Sequence, residues 1–211
     1  MTAQSPRART ILERWDISPE ELTELVDRSP SLRGILLGYV AEHQLLKLLL
    51  RVSSDMRNHG KADNHDRSAK ADRTILFKGR QLKIECKSLQ TNSIRRETDP
   101  GTGKPYWIGK AQVDASDRRK VTFPNGTKLE TTCLLAGEFD ILAVNCFEFE
   151  KEWRFAFARN RDLPRSSFSR YTPYQRRHLL ATLVTVTWPP KPPFYADPLP
   201  VIEAVVRDRK R

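Results

Sequence analysis

The chain predicts an α/β fold, and three stretches carry that reading. From Leu32 to Leu50 apolar residues recur at helical spacing, with Ile35, Tyr39, Leu45, Leu46 and Leu49 on one stripe. Thr74–Phe77 and Leu82–Cys86 are two short apolar runs separated by Lys78-Gly79-Arg80, the signature of two strands joined by a tight turn. Farther on, Ile141-Leu142-Ala143-Val144 reads as a buried strand. Trp153, Phe155 and Phe157 alternate with Arg154 and Ala156 as the next one, with one face buried.

The elements follow in order. Ser18-Pro19-Glu20-Glu21 is a capping box with proline at the first helical position, so a short helix is expected from Pro19 to about Asp27. Ser29-Pro30 repeats the cap-and-proline start for the long helix. Glu42 lies three residues after Tyr39 and four before Leu46, inside the apolar stripe. A carboxylate there is costly unless it is bound to metal, reaches solvent from the stripe edge, or pairs with a core arginine.

Ser53–Lys70 is polar and reads as a mobile loop leading into the hairpin. With Lys78-Gly79 as a two-residue turn, Phe77 pairs with Arg80 and Asp72 falls opposite Glu85. Directly opposed side chains have Cβ atoms roughly 4.5–5.5 Å apart. In Leu82–Lys87 the apolar residues alternate with Lys83, Glu85 and Lys87, so two carboxylates and an ammonium crowd one patch. Such a patch suits a divalent cation: Mg²⁺ takes oxygen ligands, keeps several waters and needs only one or two carboxylates beside a phosphate. Asp63 and Asp66 are alternative acids. Asp72 is preferred because the hairpin count places it and strands hold ligands more firmly than loops.

Thr91–Lys110 reads as a basic irregular stretch in which Arg95 and Arg96 are candidate DNA contacts. Arg118, Arg119 and Lys120 are candidate phosphate contacts, and Asp140 is read as a structural partner for a basic residue. Thr172-Pro173 starts a helix to about Ala181 whose Gln175, Arg176 and Arg177 could face DNA, with Arg176 the chosen contact. Thr182–Trp188 reads as an edge or late strand. Pro189–Pro193 reads as a stiff linker, and Val201–Val206 as a short helix or docking segment. The expected division is 1–30 helical extension, 31–188 core and 189–211 proline-rich, basic tail.

Lys and Arg outnumber Asp and Glu by 37 to 26, a net charge of +11 that favours a polyanionic partner. No apolar run is long enough to span a membrane, and the polar, basic Met1–Arg14 does not read as a signal peptide, so a cytoplasmic protein is expected. Cys86, Cys133 and Cys146 are widely spaced in apolar runs and read as reduced core thiols. The scattered His43, His59, His65 and His178 make no zinc pattern with them.

Taken together, Glu42 in a helix, then Asp72, then Glu85-Cys86-Lys87 resembles the restriction-endonuclease-like PD-(D/E)xK nuclease superfamily, most nearly its bacterial type II restriction enzymes. The resemblance runs from about Leu32 to Phe157, and Ala71 stands where the family has proline. It implies a central mixed β-sheet flanked by helices and Mg²⁺-dependent hydrolysis of DNA to 5′-phosphate ends. Asp72 and Glu85 would be metal ligands, Glu42 an auxiliary ligand or water holder, and Lys87 the water-positioning residue. It also implies double-stranded DNA as substrate, a homodimer, and a possible cognate DNA methyltransferase. The alternatives are a structure-specific or repair nuclease of the junction-resolvase kind, and a non-catalytic DNA-binding module on the same scaffold.

Overall fold

A computed structural model describes residues 8–61 and 71–209. By contacts the chain divides into two units, Met1–Val40 and Ala41–Arg211.

The first unit is helical. It holds α1 (Ile11–Trp15), α2 (Pro19–Arg28) and the start of α3 (Pro30–Val52). Thr10 caps α1 and Ser18 caps α2, each in a reciprocal box with the glutamate three residues later, Glu13 and Glu21. The short α1 was not foreseen. Ile35 and Tyr39, expected in the buried stripe, are 60% and 47% exposed.

In the second unit the rest of α3 is followed by β1 (Met56–Lys61), β2 (Arg73–Phe77), β3 (Arg80–Ser88), β4 (Arg95–Thr98), β5 (Pro105–Gln112), β6 (Asp114–Thr122) and β7 (Lys128–Cys133). Then come β8 (Ile141–Asn145), α4 (Phe147–Glu150), β9 (Phe155–Arg159), α5 (Pro173–His178), β10 (Leu183–Trp188) and α6 (Pro198–Asp208). The expected α/β architecture is present: a central mixed sheet in the order β1-β2-β3-β8-β9, with flanking helices. Its neighbours are antiparallel except β3 and β8, which run parallel.

Strand alternation sorts the core into two layers. Ile84, Ile141, Ala143, Phe155 and Phe157 face one side, where Leu45 and Leu49 of α3 and Val201, Ile202 and Val205 of α6 cover them. Leu142, Val144, Ala156 and Ala158 face the other, packed with Ala111 of β5 and Val184 and Val186 of β10. That second side is closed mainly by the antiparallel β10-β5-β4 sheet. β9 is therefore buried on both faces rather than one. Deleting the Phe157 ring, which is fully buried, is expected to cost about 3–5 kcal/mol, read as a lowered urea midpoint at unchanged m-value.

Three expected loops are ordered differently. Part of Ser53–Lys70 is the edge strand β1, paired with β2; Asp63 and Asp66 lie outside the described residues. Thr91–Lys110 is mostly the β4–β5 hairpin, whose loop closes because Asp99 Oδ1 accepts the N–H groups of Gly101 and Thr102 at 3.0 and 3.1 Å. Its mixed composition hid the alternation. The proline segment is not a free spacer. Phe194 is buried, and Tyr195 exchanges two backbone hydrogen bonds with Phe157 at 2.8 and 2.9 Å, so the chain is pinned to β9 before α6 docks. Among the described residues no helix is long and apolar enough to cross a membrane.

Candidate active site

The β2–β3 hairpin positions the central cluster. Lys78 and Gly79 both take positive φ, 48° and 76°, which a two-residue primed turn requires and which matches the strand twist. This sets the register Phe77↔Arg80 through Arg73↔Ile84. β2 begins only at Arg73, so the next β3 donor, the Cys86 N–H, has no strand carbonyl facing it. Asp72 Oδ2 accepts that N–H at 2.8 Å. The bond holds Asp72 at the open end of the hairpin, level with Glu85, as the residue count requires.

β3 pairs with β8 so that Glu85 lies beside Leu142 and Lys87 beside Val144. Both side chains therefore project from the face opposite α3, near the carboxyl end of β3. In open α/β sheets ligands bind outside the carboxyl ends of parallel strands. Lys87 Nζ lies 2.9 Å from Glu85 Oε1, with the two side chains 25% and 11% exposed.

The electrostatics follow from crowding. Burial and then the Asp72 charge push the Glu85 carboxyl above its usual range, against the pull of Lys87. Burial pushes the Lys87 ammonium down, but the carboxylates of Glu85 and Asp72 outweigh it and its pKa stands above the ordinary lysine value. Lys87 is thus a held cation. The Cys86 thiol is pushed well up by burial and by the charges of Asp72, Glu42 and Glu85. Burial also pushes Cys146, up to about 12. Neither is a thiolate nucleophile at neutral pH.

A raised carboxylate has a definite consequence for stability. The folded protein holds a proton on Glu85 at pH values where the unfolded chain has lost it. Wild-type stability therefore falls, relative to a Glu85→Gln variant, as pH rises through the window above the ordinary glutamate pKa. Urea melts in chelator between pH 4.5 and 7.5 are expected to show the variant gaining on wild type with pH; a constant gap would contradict this.

Glu42 stands apart. Arg73 pairs with Ile84, so its side chain lies on the α3 side of the sheet, and its Nε is 3.9 Å from Glu42 Oε2. A core arginine thus lies within ion-pair reach of Glu42. Among the described residues no three His, Cys, Asp or Glu groups converge as a metal cage. Asp72 and Glu85 fit a hard divalent ion that keeps most of its water. Asp72 Oδ1 makes no hydrogen bond among the described residues, and the Asp72 charge bears on the Glu85 carboxyl.

The basic candidates divide. Arg95 and Arg96 on β4 are exposed; Arg95 pairs with Glu97, and Arg96 lies 5.9 Å from the Trp107 ring. Arg118 and Lys120 point outward from β6, whereas Arg119 between them points in and grips Glu138 with both terminal nitrogens. Arg119 is therefore committed to the fold, and strand alternation is the signal that separates it from its neighbours. Arg176 lies half-buried on α5, which is shorter than expected. Asp140 has the structural role expected, taking the Lys83 N–H at 2.7 Å and pairing with Arg209.

Two acids near the cluster escaped the sequence reading. Asp114 at the start of β6 acts on Lys87, and Glu138 acts on Glu85. From Asp114 a polar rim continues through Gln112 to Gln90, with hydrogen bonds of 3.2 and 2.9 Å. A cavity of about 200 Å³ lined by Arg159, Arg161, Arg165 and Arg209 lies instead at the start of β8. Three of these arginines are neutralised by Asp162, Asp208 and Asp140.

No protein-family model and no curated protein matches the chain. A solved bacterial homing endonuclease aligns with 68% of this chain and 86% of its own, at 15% identity and a TM-score of 0.34. At that level the alignment carries no argument.

Proposed function

We propose that the protein is a Mg²⁺-dependent DNA endonuclease of the PD-(D/E)xK kind, acting as a type II restriction enzyme. The observation that supports it most is the cluster of Asp72, Glu85 and Lys87, with a Glu85 carboxyl raised by burial and by the Asp72 charge and a lysine kept charged. Ordinary solvated hairpins have no reason to half-bury that set.

Asp72 and Glu85 would hold the Mg²⁺, which when bound supplies Lewis-acid activation of water and neutralisation of phosphate charge. The protein's own groups do the rest. Asp72 is fixed by the Cys86 amide and so presents its other oxygen outward. Lys87, as an ammonium, donates hydrogen bonds to the attacking water and the scissile phosphate and offsets the charge that grows there. Glu42 keeps Arg73 neutralised behind the sheet and stabilises the strand that carries Asp72.

The net charge of +11 and the exposed Arg95, Arg96, Arg118 and Lys120 supply phosphate contacts along the duplex. The β6–β7 ribbon starts at Asp114 beside Lys87, and a two-stranded ribbon of that kind fits the major groove. Such a ribbon would serve as the base-contacting element that the restriction reading needs. A substrate panel tests the choice: unmethylated mixed-sequence duplex, the same duplex methylated, and a four-way junction. Cutting of duplex at one short sequence supports restriction, whereas preference for the junction replaces it with a structure-specific nuclease. A cognate methyltransferase would protect the same short sequence.

A further inference from the structure

The β6–β7 ribbon carries a small core of its own. Val121, Phe123 and Cys133 of the ribbon and its turn are buried with Leu179, and Tyr171 and Tyr174 pack against them. The two tyrosine hydroxyls tie the chain around α5 to the ribbon. Tyr171 Oη lies 2.8 Å from Thr131 Oγ1, and Tyr174 Oη accepts the Asn125 N–H at 3.2 Å. The segment that leads into α5 is thereby fixed at its far end. At its near end the Ser166 N–H donates to the Leu179 carbonyl and the Ala181 N–H to the Pro164 carbonyl, both at 2.9 Å. Between these anchors Phe168–Tyr171 form a turn, closed by the Tyr171 N–H donating to the Phe168 carbonyl at 3.1 Å.

Phe168, at the start of that turn, is 50% exposed. Its ring meets Tyr171 edge-on at 5.0 Å, and the Arg170 guanidinium lies 5.9 Å from it. A single exposed apolar residue is ordinary. The setting is what marks this one. From Leu163 to Ala196 the chain holds no Asp or Glu, while Arg165, Arg170, Arg176, Arg177 and Lys191 all fall there. Arg165 is spent on the carbonyls of Arg161 and Leu163, and Lys191 on Asp99. Arg170 and Arg177 are exposed, lie over Phe168 and Tyr174, and make no ion pair among the described residues.

A ring held out by a pinned loop among unpaired arginines suits a polyanion with apolar gaps behind its charges. Phosphates take the arginines, and the space between stacked base pairs takes a flat ring. Because the loop is tied at both ends, little ordering opposes binding. We propose that Phe168 is a wedge that enters between adjacent base pairs of duplex DNA and partly unstacks them, with Arg170 and Arg177 on the flanking phosphates. The choice of duplex DNA rests on the nuclease reading above; the wedge rests on the loop. Pyrimidine–purine steps cost least to unstack, so the wedge reads sequence at a step that no side chain hydrogen-bonds.

The test is chemical footprinting. Permanganate and diethyl pyrocarbonate, which attack unstacked pyrimidines and purines, are applied to mixed-sequence duplex bound by the full chain carrying Lys87→Ala, so that no strand is cut. Bases at pyrimidine–purine steps are expected to react at least fivefold faster than in free DNA. That enhancement is expected to vanish on adding Phe168→Ala and to survive Phe168→Trp. Phe168→Ala is also expected to raise Kd on the order of tenfold without altering its salt dependence. Arg177→Ala is expected instead to lower the salt slope by about 0.9. Phe168→Gln, which keeps a side chain against Tyr171 but no ring, is the second route should Phe168→Ala fail to fold. Bound duplex without reactive steps overturns the proposal, as does enhancement that persists in folded Phe168→Ala or Phe168→Gln. So does a chain that binds no duplex, the case in which another protein covers the ring. Cutting is read separately, without the Lys87 change. Phe168-dependent unstacking by a chain that cuts nothing in Mg²⁺ removes the nuclease reading and leaves the wedge; cutting at one short sequence without unstacking does the reverse.

Discussion

Lys87→Ala is expected to lower phosphodiester cleavage by on the order of 10²–10³-fold while leaving DNA affinity within a few-fold. The lysine is a quarter exposed, bonded to Glu85, and kept charged by two carboxylates. In the proposed reaction its main contribution would come where negative charge grows on the phosphate, so its loss would appear in the rate rather than in binding. Folding is not at risk in the same degree. Removing the ammonium leaves Glu85 with a further reason to take up a proton, and a neutral carboxyl is tolerated where a lone buried charge is not. Lys87→Arg is expected to rescue little, because the planar guanidinium cannot reproduce a compact ammonium at 2.9 Å from the same oxygen. Near wild-type turnover in Lys87→Ala would take this residue out of the reaction.

Asp72→Asn and Glu42→Gln separate the two acids that the sequence had placed together. In Asp72→Asn the side-chain carbonyl still accepts the Cys86 N–H, so the hairpin end holds while the charge proposed to bind Mg²⁺ disappears. The Mg²⁺ needed for half-maximal activity is expected to rise at least tenfold, with the maximal rate falling on the order of 10²-fold as well. Glu42→Gln acts behind the sheet, on Arg73 at 3.9 Å. Its expected cost is about 1–3 kcal/mol of stability, from a half-buried guanidinium left with a neutral neighbour, and little change in the Mg²⁺ dependence. Parallel metal titrations and urea melts of the two variants read both effects. A Glu42→Gln enzyme with the metal defect of Asp72→Asn would return Glu42 to the metal site.

Much of the candidate patch was legible because it depends on local chemistry. A Lys-Gly turn forces a register, a register forces opposition, and period-two alternation puts Glu85 and Lys87 on one face. The same reasoning found the capped helices α2 and α5 and the strands β8, β9 and β10. What stayed hidden depends on partners distant in sequence. Glu42 was seen as a carboxylate needing compensation, but Arg73 supplies it only once α3 packs on β2. Arg119 looks like its basic neighbours until Glu138 is brought beneath it. The β4–β5 and β6–β7 hairpins were missed because their outward faces are charged and their inward faces carry few apolar residues. Ile35 fits a helical stripe by spacing, yet it is largely exposed. The charge of the chain as a whole likewise concealed that residues 8–40 are acidic.

The most direct measurement is cleavage of unmethylated mixed-sequence duplex DNA in Mg²⁺ by wild type and Lys87→Ala side by side, with every fragment end sequenced. Ends bearing 5′-phosphates, clustered at one short sequence, are expected from wild type and are expected to be lost together in chelator and in the variant. Wild type that yields no ends above the Lys87→Ala background, on a protein that binds the same DNA, would contradict the nuclease reading and leave a DNA-binding module on a nuclease-like sheet.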